Sequence, residues 1–195
     1  MIKEQFFPTT IYAKDIKIDN DALANNIINW SKQDKGVKLT NIGGWHSPTD
    51  MNTKPEYEEL CNALFEMQME IYKEEFIERK PLLGNMWANI NYKDGSYNKP
   101  HLHPNSLFSG VYYVKSHLDS GNLTCYDPRP GTHITMPVRK KVETPQHLWN
   151  ECHMAPIPGR IIMFPAWLWH SVEPNKSDDI RISVSFNFIQ EGFNV

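Results

Sequence analysis

Met86-Trp87-Ala88-Asn89-Ile90-Asn91-Tyr92 reads as a strand with two unlike faces. Successive side chains of an extended chain point to opposite sides. Trp87, Asn89 and Asn91 therefore share one face, and Met86, Ala88, Ile90 and Tyr92 the other. Asp94-Gly95 then supplies a turn. Working outward, the texture of the chain changes at Pro81, after which short apolar or alternating segments dominate. Leu107 to Val114, Asn122 to Tyr126, Arg160 to Phe164, Trp169 to Val172 and Ile180 to Ile189 are further strand candidates, separated by Gly, Pro, Asn and Asp. Many short strands punctuated in this way predict an all-β barrel or sandwich.

Upstream of Pro81 the pattern is mainly helical. Phe6 to Tyr12 reads as a short first strand, with Pro8 tolerable at an edge. Leu23, Ile27, Ile28 and Trp30 recur near helical spacing between Asp21 and Lys32, with Asp19, Asn20 or Asp21 available as cap. Gly43-Gly44-Trp45-His46-Ser47-Pro48 reads as a loop whose Trp-His pair either borders a pocket or, on the plainer expectation, leaves a surface histidine. Thr53-Lys54-Pro55-Glu56 has the pattern of a capping box with Pro in the first turn. Leu60, Leu64, Met67 and Ile71 then mark one buried face of a helix running to about Phe76, with Met67 and Met69 read as core fillers. Asp127 to Pro158 is an insertion with no clear periodicity, the kind of long loop that often carries function.

At 195 residues the chain is expected to form one domain, with helical support over about 20–80 and a barrel core over about 82–190. A net charge of −3 offers no electrostatic attraction for nucleic acid or an anionic membrane, so neither is expected as a partner. The N-terminus lacks a signal-peptide pattern, and no apolar run approaches membrane-spanning length. Cys61, Cys125 and Cys152 are widely spaced, without a CxxC, and their odd number suits a reducing compartment. The expected location is cytoplasmic.

The chemistry concentrates in Pro100-His101-Leu102-His103 and in Trp169-His170 through Arg181-Ile182-Ser183. On a strand, His101 and His103 would present two imidazoles to one side. A distant His170, followed by an Arg that alternates with Ser183, suggests a mononuclear metal site with a carboxylate-binding Arg beside it. Eight histidines in such a chain will also fall two apart by chance, so the HxH pair does not decide the matter alone.

The surrounding residues add to it. Tyr92-Lys93-Asp94-Gly95-Ser96-Tyr97-Asn98-Lys99-Pro100-His101-Leu102-His103 resembles the tyrosine, glycine and Pro-His-x-Asp segment of prolyl-hydroxylase-like iron(II)/2-oxoglutarate oxygenases. The likeness continues through Gly110-Val111-Tyr112-Tyr113-Val114 and Ser120-Gly121-Asn122-Leu123-Thr124 to His170 and Arg181-Ile182-Ser183. Tyr126-Asp127-Pro128-Arg129 and Phe164-Pro165-Ala166-Trp167-Leu168-Trp169-His170 are similar to a small family of 2-oxoglutarate oxygenases of bacteria and phages. The resemblance spans roughly Phe7 to Phe188 and is densest after Met86.

What it implies is a mainly β fold with N-terminal helices, the double-stranded β-helix (jelly-roll, cupin-like) barrel. It further implies Fe(II) and 2-oxoglutarate as cofactors, O2 as cosubstrate, and a small-molecule or peptidyl substrate. His101, His103 and His170 would be metal ligands, leaving open positions for cosubstrate and O2. Arg181 would pair bidentately with the far carboxylate of 2-oxoglutarate, Ser183 would donate from the same face, and Tyr113 and Thr124 would assist. Arg181 also reads as a surface residue after Asp178-Asp179, and Tyr113 and Thr124 as ordinary packing.

One position departs from the pattern. Where the superfamily usually has Asp or Glu, this chain has His103. His103 ligates, or a water takes its place, or a carboxylate such as Asp127 completes the site; the position favours His103. Asn89, Asn91, Asn98 and Asn105 offer polar contacts to substrate, although Asn98 and Asn105 read better as turn or strand-end residues. Trp167 and Trp169 either wall the entrance or pack in the core. The leading expectation is a 2-oxoglutarate-dependent Fe(II) dioxygenase that hydroxylates an unactivated C–H bond. A cupin-like three-His dioxygenase without 2-oxoglutarate is the second, though it has no evident need for Arg181 and Ser183. A metal-free β-barrel binding or structural module is the third.

Overall fold

The fold was analysed in a computed structural model, which describes residues 1–132, 134 and 137–190. Two antiparallel sheets face one another. The larger contains β1 (Tyr12–Asp15), β3 (Trp45–His46), β4 (Pro81–Asn91), β6 (Phe108–Lys115), β9 (Arg160–Pro165) and β11 (Arg181–Gln190), in the order β1-β9-β6-β11-β4-β3. The smaller contains β2 (Asn41–Ile42), β5 (Tyr97–His101), β7 (Leu123–Tyr126), β8 (Glu151–Met154) and β10 (His170–Val172), in the order β2-β5-β10-β7-β8. This is the double-stranded β-helix.

Period-two alternation divides the larger sheet into two environments. Met86, Ala88 and Ile90 of β4, Tyr112 and Val114 of β6, Ile161 and Met163 of β9, and Ile182, Val184, Phe186 and Phe188 of β11 turn outward into one apolar cluster. Helices α1 (Asn20–Gln33) and α2 (Glu58–Glu74) cover that face with Leu23, Ala24 and Ile27, and with Leu60, Leu64, Met67 and Ile71. Between the sheets, Val111, Tyr113, Ile162 and Phe164 meet Leu123, Cys125 and Leu168 in a smaller cluster. The inward residues of β4 and β11 are mostly polar, and they line the site described below.

α1 begins where Asp19 accepts a hydrogen bond from the Ala22 backbone N–H at 2.9 Å, one of the three caps offered by the sequence. α2 differs from expectation at its start. Thr53 donates to the Asp50 carbonyl rather than capping a helix, and two short 3-10 turns over Met51–Thr53 and Pro55–Tyr57 precede Glu58. Lys54 is extended, as the residue before a proline tends to be, so an α-helix cannot run through it. Met67 joins the core as expected, but Met69 lies on the solvent side of α2.

The first strand is also displaced. Phe6 and Phe7 are exposed, and Phe7 adopts a left-handed backbone with φ 59°, so pairing begins only at Tyr12 opposite Met163. Trp45 and His46, expected in a loop, form a two-residue strand against Ile90 and Asn89 of β4. The insertion holds β8, a strand that its sequence pattern does not announce. β1 and β3 join the larger sheet and β2 the smaller, so the segment before Pro81 completes the sheets as well as covering them.

Candidate active site

β5 and β10 are neighbours in the smaller sheet, and His101 and His170 lie directly opposite each other in register. Their ring centroids are 4.3 Å apart. β5 ends at His101, so the two-residue step of a strand does not itself place His103. That is done by the turn between β9 and β10: the His103 backbone N–H donates to the Ala166 carbonyl at 3.0 Å. The His103 ring then lies 5.0 Å from His101 and 5.1 Å from His170. One ring nitrogen from each of the three comes within 4.8 Å of the others.

The ring orientations suit a metal. His101 Nδ1 is 2.6 Å from the Lys99 carbonyl and His170 Nδ1 is 2.9 Å from the Leu168 carbonyl. A carbonyl can only accept, so Nδ1 carries the proton in both rings and the Nε2 lone pair is left free. Burial holds all three imidazoles below their usual range, His103 to about 4 and His170 to about 3, with the neighbouring His101 adding to the effect. Neutral imidazole is the form that binds a cation. Phe164 packs 4.7 Å from His170 and fixes that ring from behind.

Arg181 opens β11 and is fully buried. Its Nη1 donates to the carbonyls of Ser120, Gly121 and Glu173. Its Nε and Nη2 are buried without a partner, and so is the hydroxyl of Tyr113. Among the described residues no carboxylate pairs directly with the guanidinium. Glu173, whose backbone it touches, commits its own carboxylate to the Asn122 N–H, Thr124 and His153. Burial lowers the Arg181 pKa to about 10 and raises that of Tyr113 to about 12, so both keep their protons at neutral pH. An unpaired buried charge is strongly unfavourable. Three unsatisfied donors around it therefore form a place for an anion.

The cavity between the sheets, about 370 Å³, is lined by His101, His103 and His170 and reaches Tyr113 and Ser183. Ser183 stands opposite Tyr113 on one side and Asn89 on the other. Two rungs of one sheet thus place Arg181, Ser183 and Tyr113 together, across the cavity from the histidines. The donors present fit both groups that the sequence implies: three neutral imidazoles for Fe(II), and an orphaned guanidinium and hydroxyl for a carboxylate of 2-oxoglutarate.

Thr124 is engaged outside the cavity. It bonds Glu173 Oε1 and His153 at 3.0 Å each and does not line the cavity, because Leu123 and Cys125 on either side of it point inward. Asp127 is bound to Arg129 through Nε and Nη2, and it is not part of the histidine cluster. Trp167 and Trp169 are about half exposed and belong neither to the core nor to the cavity wall. His46 follows the other reading of its loop, a residue bordering a pocket, and not the plainer one of a surface histidine. It is 3% exposed, stacks on Trp87 with centroids 5.4 Å apart, and lines the cavity. A two-residue strand carries no periodicity, so the sequence alone does not choose between the two readings. Asn187 was missed although a signal existed, since counting by two from Arg181 along β11 reaches it.

A family model described as "Putative 2OG-Fe(II) oxygenase" matches residues 85–187, more than half of the chain. The chain belongs to that family, whose cofactor and cosubstrate are iron(II) and 2-oxoglutarate. No curated protein matches it. Among solved structures it is similar to a Pseudomonas putida prolyl-4-hydroxylase, with a TM-score of 0.67, 14% identity and 94% of each chain covered. It is also similar to a Trichoplax adhaerens prolyl hydroxylase in complex with a hypoxia inducible factor peptide fragment, with a TM-score of 0.65, 11% identity, and 93% and 84% of the two chains covered. HygX from Streptomyces hygroscopicus with nickel and 2-oxoglutarate bound has a TM-score of 0.65 at 10% identity, covering 95% of this chain and 85% of that one. These likenesses show a shared fold. No helix among the described residues is long and apolar enough to cross a membrane.

Proposed function

We propose that the protein is a 2-oxoglutarate-dependent hydroxylase in which His101, His103 and His170 hold iron(II) and Arg181, Ser183 and Tyr113 hold the far carboxylate of 2-oxoglutarate. The observation that carries this is the buried, unpartnered edge of Arg181 and the unpartnered Tyr113 hydroxyl, set behind the end of the cavity that Tyr113 and Ser183 line together with three neutral imidazoles. A three-His dioxygenase that dispenses with 2-oxoglutarate would leave those donors without a use.

When bound, iron(II) and 2-oxoglutarate supply the oxidation of an unactivated C–H bond, with succinate and CO2 formed from the cosubstrate. The chain's own residues bind, orient and exclude water. Lys99 and Leu168 carbonyls hold the Nδ1 protons of His101 and His170, fixing the ligating tautomers. Arg181 keeps its charge and presents a fork of N–H groups that matches a carboxylate. Tyr113 remains a hydroxyl and donates alongside it. Phe164, Val111 and Leu123 form an apolar wall that limits water near the metal side of the cavity. Small-molecule and peptidyl substrates both fit this assignment.

The test is succinate release. Protein loaded with Fe(II) without oxygen, then exposed to O2 and 2-oxoglutarate, should form succinate even without substrate, at a slow uncoupled rate. Iron-loaded protein that forms none would overturn the proposal.

A further inference from the structure

The inner face of the larger sheet carries a row of amides, Asn85, Asn89 and Asn187. Asn89 is 5% exposed and lines the cavity. Its Nδ2 donates to Ser185 Oγ at 3.1 Å, while Oδ1 is buried without a partner. Farther along the same strands, Asn187 Nδ2 donates to Asn85 Oδ1 at 2.8 Å, and Ser109 Oγ donates to Asn187 Oδ1 at 2.7 Å. On the opposite face of these strands, Met86, Ala88, Val184 and Phe186 pack as ordinary apolar residues. Leaving a buried oxygen unpaired costs about 1–3 kcal/mol, a penalty that an apolar residue would avoid. A polar row retained in such a place suits a ligand that pairs with it.

The same wall also limits what that ligand can be. Among the described residues no Asp, Glu, Lys or Arg lines the cavity. A charged substrate group entering it would lose hydration and meet no counter-charge, since Arg181 lies behind Ser183 and Tyr113 and is taken up by the cosubstrate. An uncharged group with an N–H or O–H to give would satisfy the free Asn89 oxygen.

We propose that Asn89 is a substrate-specificity residue, whose Oδ1 accepts a hydrogen bond from an uncharged amide or hydroxyl group of the substrate within a cavity wall that selects against charge. This rests on the oxygenase reading above. Because Asn89 is also in register with Ser183, the rival role is contact with 2-oxoglutarate.

The experiment uses the full chain loaded with Fe(II) and 2-oxoglutarate, and reads succinate formed above the rate without substrate. Three probe sets are compared: N-acetyl amino acid amides, the corresponding free amino acids, and neutral polyols. Stimulation by members of the first or third set is expected, and which of the two responds separates a peptidyl from a hydroxylated substrate. For a stimulating probe, Asn89→Leu should raise its KM about 3- to 10-fold, the range of one neutral hydrogen bond. Asn89→Asp, which keeps an acceptor, should bind that probe and additionally admit amino acid amides with a free ammonium. Stimulation by free amino acids only, or by no neutral probe, overturns the inference. So does an Asn89→Leu variant whose 2-oxoglutarate KM rises while the probe's KM is unchanged. Absence of succinate under every condition would instead sink the oxygenase reading itself.

Discussion

Arg181 is a charged residue that the fold keeps fully buried and only half bonded. Removing one partner of a buried charge pair costs about 3–5 kcal/mol, so Arg181→Ala should weaken 2-oxoglutarate binding by at least ~100-fold. Iron content should persist, because no Arg181 atom belongs to the histidine cluster. Titration of 2-oxoglutarate into the Mn(II)-loaded variant measures this, and unchanged affinity would remove Arg181 from its role. The histidines are not equivalent. His101 and His170 have carbonyl partners that set their tautomers, whereas His103 relies on the turn that anchors its backbone. His101→Ala and His170→Ala should each abolish tight iron binding, as metal analysis would report. His103→Ala should weaken it, and His103→Asp should restore it, since a carboxylate completes the more usual ligand set. Full iron affinity in His103→Ala would show that His103 is not a ligand. The identities of these residues were legible in the sequence. That Arg181 lacks a carboxylate partner was not, because Glu173 is within reach of it and turns its acid group elsewhere.

At the scale of elements, β6 runs between β9 and β11 with Gly110 at a point of close approach. A Cβ there would lie 2.4 Å from the Phe186 ring and 2.5 Å from the Ile162 carbonyl. The backbone oxygen cannot yield easily, so Gly110→Ala should destabilise the fold by about 1–3 kcal/mol, the usual consequence of overpacking. A urea midpoint unchanged from the parent protein would contradict this packing. The strands of the larger sheet were legible because their two faces differ so sharply in polarity. β8 and β3 were not: each is short, and each is held by its partner strand rather than by its own pattern. The Thr53 capping pattern failed for a local reason, the extended residue that precedes Pro55.

For the whole molecule, the proposed site joins the two sheets. His101 and His170 come from the smaller sheet, and Arg181, Ser183 and Tyr113 from the larger. A ligand pair that binds only when both sheets are in place must stabilise the folded state. At a hundredfold excess over Kd the gain is about 2.7 kcal/mol. For a chain of this size that corresponds to a rise in Tm of roughly 5–11 °C. Mn(II) with 2-oxoglutarate should produce it, and excess chelator should reverse it. A melting temperature indifferent to both would mean that they do not bind at this junction.

The sequence by itself determined the β architecture, the helical cover and the identity of the histidines and the arginine. Period-two and helical patterns are local, and residue type dictates which chemistry is available. Tertiary structure alone decided that Thr124 turns away from the cavity, that His46 turns into it, and that His103 is held beyond the end of its strand. Each of these depends on which strand lies alongside, a relation between segments far apart in the chain. The free Asn89 oxygen belongs with them, because a hydrogen bond left unmade becomes visible only when every neighbour is in place.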